Sequence, residues 1–216
     1  GYENYYTHTN VYWLAVGGSG LPMPSLNGAL LPGGVNVTSA WHVATNQLYR
    51  YFNAALRPED ESLDHWYLSP LSPFGWSNLF LRTDYVDNAS PAIFSARFVG
   101  STSYTTAVDH VTSVQIKGSL ITNFLYDGFD SVSGQVAFSS ALLSNGVTAV
   151  SFRQTQVGIP ELGDRAYVRD FSIGYQRILN QRDGVCSFAP PSGTNNCTVA
   201  AFTNNPGFWV LDVTDP

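Results

Sequence analysis

The fold is decided by the stretch Asp109-His-Val-Thr-Ser-Val-Gln-Ile-Lys117, in which apolar and polar residues alternate before a turn at Gly118. The same alternation returns in Val147-Thr-Ala-Val-Ser-Phe-Arg153 and in Asp170-Phe-Ser-Ile-Gly-Tyr-Gln-Arg177. Period-two alternation places every second side chain on the buried face of a β-strand. Strands of this kind, separated by Gly, Asn, Pro and Ser turns, predict an all-β fold, an antiparallel and jelly-roll-like β-sandwich.

Further strand candidates extend outward from this stretch. Residues 41–52 fit either a helix or a strand, of which the strand is favoured, and the turn-rich segment Asp87–Pro91 is the best domain boundary. We therefore expect residues 1–90 to form strands and long loops, either of the same domain or of a smaller aromatic-rich lobe, and residues 91–216 to form the sandwich. The remaining strand candidates are 10–16, 92–99, 109–117, 134–139, 147–154, 165–178, 184–188, 198–203 and 207–213.

The composition is poor in charge. Charged residues make up 12% of the 216 residues, and Lys117 is the only lysine, whereas about 25% is typical of soluble domains. Such a surface is either covered by neutral polar groups or partly an interface. With a net charge of −6 and scattered arginines, we expect no nucleic-acid partner. No apolar run is long enough to predict a membrane span, and the start at Gly1 predicts a processed product or an excised piece.

Two cysteines and three sequons indicate a secreted or cell-surface protein. Cys186 and Cys197 bracket a loop rich in Pro, Gly and Asn, and we expect a disulfide between them, with free buried thiols as the alternative. A disulfide implies an oxidising compartment. The acceptor sequons at Asn36, Asn88 and Asn196 predict N-glycosylation in the same compartment.

No catalytic constellation stands out in the sequence. The segment Tyr126-Asp-Gly-Phe-Asp130 is either a hairpin turn or half of a calcium site with Asp127 and Asp130 as ligands; no other cofactor is expected. The acidic runs 59–64 and 161–164 are expected to be solvated loops, because neighbouring carboxylates in one loop rarely face each other across a cleft. The four histidines show no metal-ligand spacing. The aromatic residues between 65 and 80 either fill the core or stack on a sugar.

Four segments together resemble a known family. They are Tyr6-Thr-His-Thr-Asn-Val-Tyr-Trp-Leu14, Asp64-His-Trp-Tyr67, Arg169-Asp-Phe-Ser-Ile-Gly-Tyr-Gln-Arg177 and Phe208-Trp-Val-Leu-Asp-Val-Thr-Asp-Pro216. In this order they are similar to the non-catalytic region that precedes the protease domain of gingipain-like cysteine peptidases, the group that includes the sortase of the type IX secretion system. In that family the closing Val-Leu-Asp-Val-Thr-Asp-Pro leads toward the catalytic domain.

The resemblance implies an accessory module without its enzyme. The family's catalytic His-Cys dyad has no match in this chain, because no His is followed by Gly. The sequence therefore predicts a non-catalytic, secreted or cell-surface β-sandwich that acts in protein interaction or presentation. Two alternatives stay open: a self-assembling surface or filament subunit, favoured by the low charge, and a carbohydrate-binding module, favoured by the Trp and Tyr content. The expected partners are other protein domains, copies of the chain itself or a glycan.

Overall fold

A computed structural model describes residues 32–46, 50–53, 56, 65–105, 108–156, 163–193 and 195–200. The strands expected at 10–16 and 207–213, the acidic run 59–64 and the motifs at 6–14 and 208–216 lie outside these residues. In the described part of the chain no helix has the length and apolar character that crossing a bilayer requires.

Thirteen strands, numbered β1 to β13 in chain order, run through the described residues. A short 3-10 helix spans Ser140–Leu142. The strands are Val35–Val37, Ser39–Asn46, Tyr51–Phe52, Trp66–Tyr67, Ser69–Leu71, Ser77–Thr83, Ala92–Gly100, His110–Ile116, Ser119–Tyr126, Ser131–Phe138, Gly146–Gln156, Ala166–Ile178 and Asn195–Cys197.

Two antiparallel sheets form the sandwich, which confirms the predicted fold class. One has the order β10-β7-β12-β2, with β5 pairing with β12 at Ala166–Val168, beyond the end of β2. The other has the order β6-β11-β8-β9. Strands β2, β5 and β6, which precede residue 90, thus pair with β11 and β12 of the second half of the chain.

The alternating segments are the strands that the sequence predicts best. The strands predicted at 92–99, 109–117, 147–154 and 165–178 are confirmed within a residue or two, and the strand interpretation of 41–52 is confirmed for residues 41–46 and 51–52. The strand predicted at 184–188 is wrong. Asp183 and Gly184 have positive φ angles of 54° and 82°, and a tight turn joins Arg182 to Val185 there.

Strand β9 is not predicted from the sequence, because apolar residues at adjacent positions break its alternation. Leu120 and Ile121 are neighbours, as are Phe124 and Leu125. A register shift opposite Val114 and Gln115 accommodates the irregularity, as expected for a β-bulge, where one extra residue locally changes the phase of a strand.

Aromatic side chains fill the space between the sheets. Phe94 and Phe98 of β7 meet Phe152 of β11, with ring centroids 6.2 and 5.9 Å from its ring. Phe171 of β12 lies 5.2 Å from Phe152. All four rings are at most 2% exposed, and burial of each contributes about 1.5–3 kcal/mol.

The phase of β8 places polar residues inside the sandwich. Val114 and Ile116 point into the core and are fully buried. Because side chains two positions apart share one face of a strand, Thr112 and His110 point the same way, and both are also fully buried. The inward face of β8 therefore changes from apolar to polar toward its first residue.

Candidate functional site

A buried polar cluster lies where β8 begins and the chain approaches β12. Asp109, His110 and Gln154 are 0% exposed and Asp164 is 1% exposed. His110 Nδ1 lies 2.5 Å from Asp164 Oδ1. His110 Nε2 lies 2.7 Å from the Gly128 carbonyl oxygen and 3.0 Å from that of Thr102. Since a carbonyl can only accept, Nε2 carries a proton.

The surroundings of His110 favour its protonated form. Its second nitrogen, Nδ1, faces the Asp164 carboxylate, which accepts a hydrogen bond from a protonated nitrogen. Burial alone would lower the pKa of His110. The hydrogen bond and charge of Asp164 act in the opposite direction, as do the Gly128 carbonyl and the charge of Asp109. Together they outweigh burial and raise the pKa of His110 above its usual 6.5. In this protonated form the ring has no lone pair to act as a general base.

Neighbouring side chains complete the hydrogen bonding of the cluster. Gln154 Nε2 donates to Asp164 Oδ2 over 2.6 Å, and Thr112 Oγ1 donates to Gln154 Oε1 over 2.6 Å. Tyr126 stacks on the His110 ring with centroids 4.8 Å apart, and burial raises the pKa of its hydroxyl. This cluster joins three strands and three loops, and its polar atoms are hydrogen-bonded to one another. It is a structural cross-link sealed from solvent.

The outer face of the five-stranded sheet, unlike the buried cluster, carries polar side chains that are open to solvent. A shallow depression of about 290 Å³ lies on it, lined by the outward side chains of β7, β10 and β12. Arg97 and Asp170 form an ion pair at one end, with Arg97 Nε donating to Asp170 Oδ2 over 2.7 Å. We call this surface the serine-rich face; its residues are Trp41, Thr45, Ser95, Arg97, Ser133, Gln135, Asp170 and Ser172.

Trp41 lies at the β2 edge of the serine-rich face. Its side chain is 42% exposed. A Cβ atom built on Gly174 of the neighbouring strand would lie 2.3 Å from Trp41 Cζ2 and 2.9 Å from Cε2. Glycine at this position is therefore what lets the indole lie against the sheet, and the rest of the ring is open to solvent.

The outer face of the four-stranded sheet combines paired polar groups with exposed apolar side chains. Ser151 Oγ donates to Asn78 Oδ1 over 2.7 Å, and Ser113 Oγ donates to Asn123 Oδ1 over 2.8 Å. The apolar side chains stand mostly along the two edge strands, and each is more than half exposed. We call this surface the apolar-edged face; these side chains are Phe80 at 59%, Val147 at 61%, Leu120 at 56% and Leu125 at 58%.

The calcium candidates Asp127 and Asp130 are both exposed. They lie in the turn between β9 and β10, where the Asp130 N–H donates to the Asp127 carbonyl over 3.0 Å. This turn joins the two sheets and is not a hairpin turn. Among the described residues no group of three or more His, Cys, Asp or Glu side chains is arranged to hold a metal ion. Calcium binding here remains a prediction.

Cys186 and Cys197 are free cysteines in the structure, so the expected disulfide is not formed in it. Both nevertheless lie around Val37: Cys197 pairs with it across β1 and β13, and Cys186 packs on the cluster that contains it. Asn36 and Asn88 are exposed, and Asn196 is opposite Asn36 in the β1–β13 ladder. Use of the three sequons stays a prediction.

The residues of the buried cluster are not predicted as a group from the sequence. The prediction of a solvated loop at 161–164 is wrong for Asp164, since Asp164 is 1% exposed and bonded to His110. The sequence contains one indication of the cluster. His110 is an even number of positions from Val114 and Ile116, so all three side chains lie on the same, buried face of β8. Nothing local to Asp164 indicated its burial.

No protein-family model and no curated protein sequence matches this chain. Among solved structures, dimeric latent PorU from Porphyromonas gingivalis is similar with a TM-score of 0.51 and 10% identity, over 74% of this chain and 15% of that one. The carbohydrate-binding module CBM36 in complex with calcium and xylotriose gives a TM-score of 0.33 and 17% identity, over 52% of this chain and 81% of the module. At these identities the likeness concerns the fold alone. The chain thus corresponds in fold to a small part of the much longer PorU.

Proposed function

We propose that this chain is a non-catalytic accessory module of a secreted or cell-surface, gingipain-like peptidase, and that it holds another protein domain through its apolar-edged face. The single observation that carries the proposal is the exposure of Phe80, Leu120, Leu125 and Val147 on one sheet surface. Exposed apolar side chains grouped on one face are typical of protein interaction sites.

The polar residues of the apolar-edged face fit the same role. Ser151 is bonded to Asn78 and Ser113 to Asn123. A hydroxyl that already has a partner within its own sheet loses little when water is removed. A partner domain can therefore cover the centre of the face at low cost and bury the apolar side chains at its two sides.

The burial of His110 supports the non-catalytic role. Its two ring nitrogens are hydrogen-bonded to Asp164 and to the Gly128 carbonyl, and the ring is fully buried. The cluster therefore supports the sandwich and does not act on a substrate. The likeness in fold to a part of PorU and the motif order of the sequence support the peptidase context.

The test compares the full-length parent protein with the isolated chain by hydrogen–deuterium exchange. We expect slower exchange in β6 and β9 in the full-length protein, and loss of that protection in the double variant Phe80→Glu/Leu125→Glu. Phe129→Glu is the matched control, because Phe129 is 49% exposed in the β9–β10 turn, off this face. A parent reading frame without a His/Cys peptidase domain, or equal exchange in both proteins, would refute the proposal.

Self-association is the second candidate, and it uses the same surface. A second copy would meet the same exposed apolar side chains, and the low proportion of charged residues, 12%, offers little repulsion between copies. Light scattering distinguishes the two readings: a dimer that Phe80→Glu dissociates supports self-association, whereas a monomer at all concentrations rejects it.

A further inference from the structure

We propose that the serine-rich face binds a neutral glycan chain, with Trp41 as its stacking platform and the depression beside Arg97 and Asp170 as its hydrogen-bonding end. This surface lies on the sheet opposite the apolar-edged face, so the inference is independent of the function proposed above.

Trp41 has the geometry of a platform for a sugar ring. It is 42% exposed, and its ring covers Gly174, where any larger residue would collide with Cζ2. A pyranose presents a face of C–H groups, which packs on the electron-rich face of an indole. Because the sheet already holds the ring in place, binding costs little side-chain entropy.

The depression offers hydrogen-bonding groups that have no partner. Within the described part of the chain, the side chains of Ser95, Ser133, Gln135 and Ser172 make no hydrogen bond to the protein. A hydroxyl both donates and accepts, and a carboxamide does the same through its two ends. Sugar hydroxyls need this mixture of donors and acceptors.

The two outer faces differ in this respect. On the apolar-edged face, the hydroxyls of Ser113 and Ser151 are bonded within the sheet, whereas the serine hydroxyls of the depression are free. Among the described residues, the exposed large apolar side chains on this side of the sheet are Trp41 and Val43 on β2 and Ile178 at the end of β12. The depression itself is lined by polar and small side chains, which favours a hydroxyl-rich ligand there over a second copy of the chain.

The charge of the depression selects against anionic glycans. Arg97 and Asp170 are its charged side chains, and they form an ion pair with each other. The pair has no net charge and leaves no cation free for a carboxylate or sulfate. It still presents outward N–H and carboxylate groups that a neutral diol can bond.

The spacing of the two ends requires an extended ligand. Ser172 lines the depression and pairs with Thr45 of β2. Trp41 lies four residues before Thr45 on the same strand. Four residues of β-strand span about 13 Å. A single sugar cannot bridge that length, so the site fits an oligosaccharide or a polysaccharide strand.

Affinity electrophoresis of the purified chain tests the inference. The gels contain barley β-glucan, arabinoxylan, galactomannan or hydroxyethylcellulose, all neutral, with polygalacturonate as the acidic comparison. We expect retardation by at least one neutral polysaccharide and none by polygalacturonate. Trp41→Ala is expected to weaken binding about ten-fold or more, and Ser133→Ala/Gln135→Ala to weaken it several-fold.

Phe129→Ala is the matched control, because it removes an exposed aromatic side chain outside this face and should leave retardation unchanged. Thermal unfolding of each variant establishes that it is folded. Retardation by none of the neutral polysaccharides overturns the inference. So does unchanged binding by folded Trp41→Ala, or a dimer that this substitution dissociates.

Discussion

His110 shows how its surroundings assign a role to a single side chain. In the sequence it is an unremarkable histidine without metal-ligand spacing. In the fold it is a fully buried ring held between Asp164, Asp109 and two backbone carbonyls, an environment that favours its protonated form. Removing one partner from such a pair leaves an uncompensated buried charge and costs about 3–5 kcal/mol. The role of His110 is therefore to hold chain segments together.

The raised pKa of His110 predicts a decline of stability with rising pH. Between pH 6.5 and the folded-state pKa, the folded protein keeps a proton that the unfolded chain has released, so the free energy of unfolding falls as pH rises through this window. Below pH 6.5 the contribution is fully present. Urea unfolding measured from pH 6 upward should show the decline in the wild type and lose it in His110→Gln.

The control for this pH effect is His42→Gln. Burial, followed by the charge of Arg177, lowers the pKa of His42. The contribution of His42 to the free energy of unfolding therefore changes only below pH 6.5, where it increases with rising pH. The variant should keep the decline above pH 6.5. A decline of the same slope in His110→Gln would show that another group causes it.

Gly100 is required by close packing against the same cluster. A Cβ atom there would lie 1.9 Å from the Gly128 carbonyl oxygen and 2.6 Å from His110 Nε2. Neither neighbour is free to move, so we expect Gly100→Ala to destabilise by about 1–3 kcal/mol or more. Gly75→Ala is the control, because nothing lies within 4 Å of its Cβ position. Thermal and urea unfolding compare the two, and an equal effect would contradict the prediction.

At the scale of elements, β12 organises the five-stranded sheet. It spans Ala166–Ile178 and pairs with β7 on one edge and with β2 and β5 on the other. Its inward residues Phe171, Ile173 and Tyr175 are almost fully buried. The register shift between Val168 and Asp170 places Asp170 on the outer face opposite Arg97. One bulge thus creates the charged end of the serine-rich face.

The hairpin between β8 and β9 depends on Gly118. Lys117 and Gly118 have φ angles of 49° and 76°, as a two-residue type I′ turn requires. Gly118→Ala places an L side chain in the left-handed region and should cost about 1–2 kcal/mol in urea unfolding. Gly118→Asn should cost less, because asparagine tolerates this region; the reverse order would count against the turn.

The loop before β13 tests the predicted disulfide. Cys186 and Cys197 both lie around Val37, and burial raises the pKa of the Cys186 thiol, so we expect oxidation to be slow at neutral pH. After incubation with oxidised glutathione, peptide mapping without reduction should find the two cysteines linked. The link should stabilise by less than about 3 kcal/mol relative to Cys197→Ser. Persistent free thiols would reject the prediction.

At the scale of the whole molecule, the two halves of the chain share both sheets. β2 and β5 pair with β12, and β6 pairs with β11. When strands far apart in the sequence pair, the chain loses the entropy of loop closure before it gains the free energy of the contacts between them. We therefore expect the sandwich to form only when both halves are present.

Fragment experiments follow from this shared architecture. We expect residues 91–216 alone to lack a cooperative unfolding transition, because β11 and β12 lose their neighbours β6, β2 and β5. Adding residues 1–90 as a separate chain should restore near-ultraviolet circular dichroism and the transition. Independent cooperative folding of 91–216 would instead establish the boundary near residue 90.

The sequence by itself determined the all-β class and the long alternating strands, such as β7 and β12, because alternation is a local property that each segment carries alone. It did not determine β9, where a bulge changes the phase. It also did not indicate the burial of Asp164, since its partner His110 is far away in the chain and only sheet packing joins them. The same holds for Trp41 over Gly174 and for the free hydroxyls of the serine-rich face. Which polar groups are paired and which stay open to solvent depends on register between distant strands, and that register exists only in the folded protein.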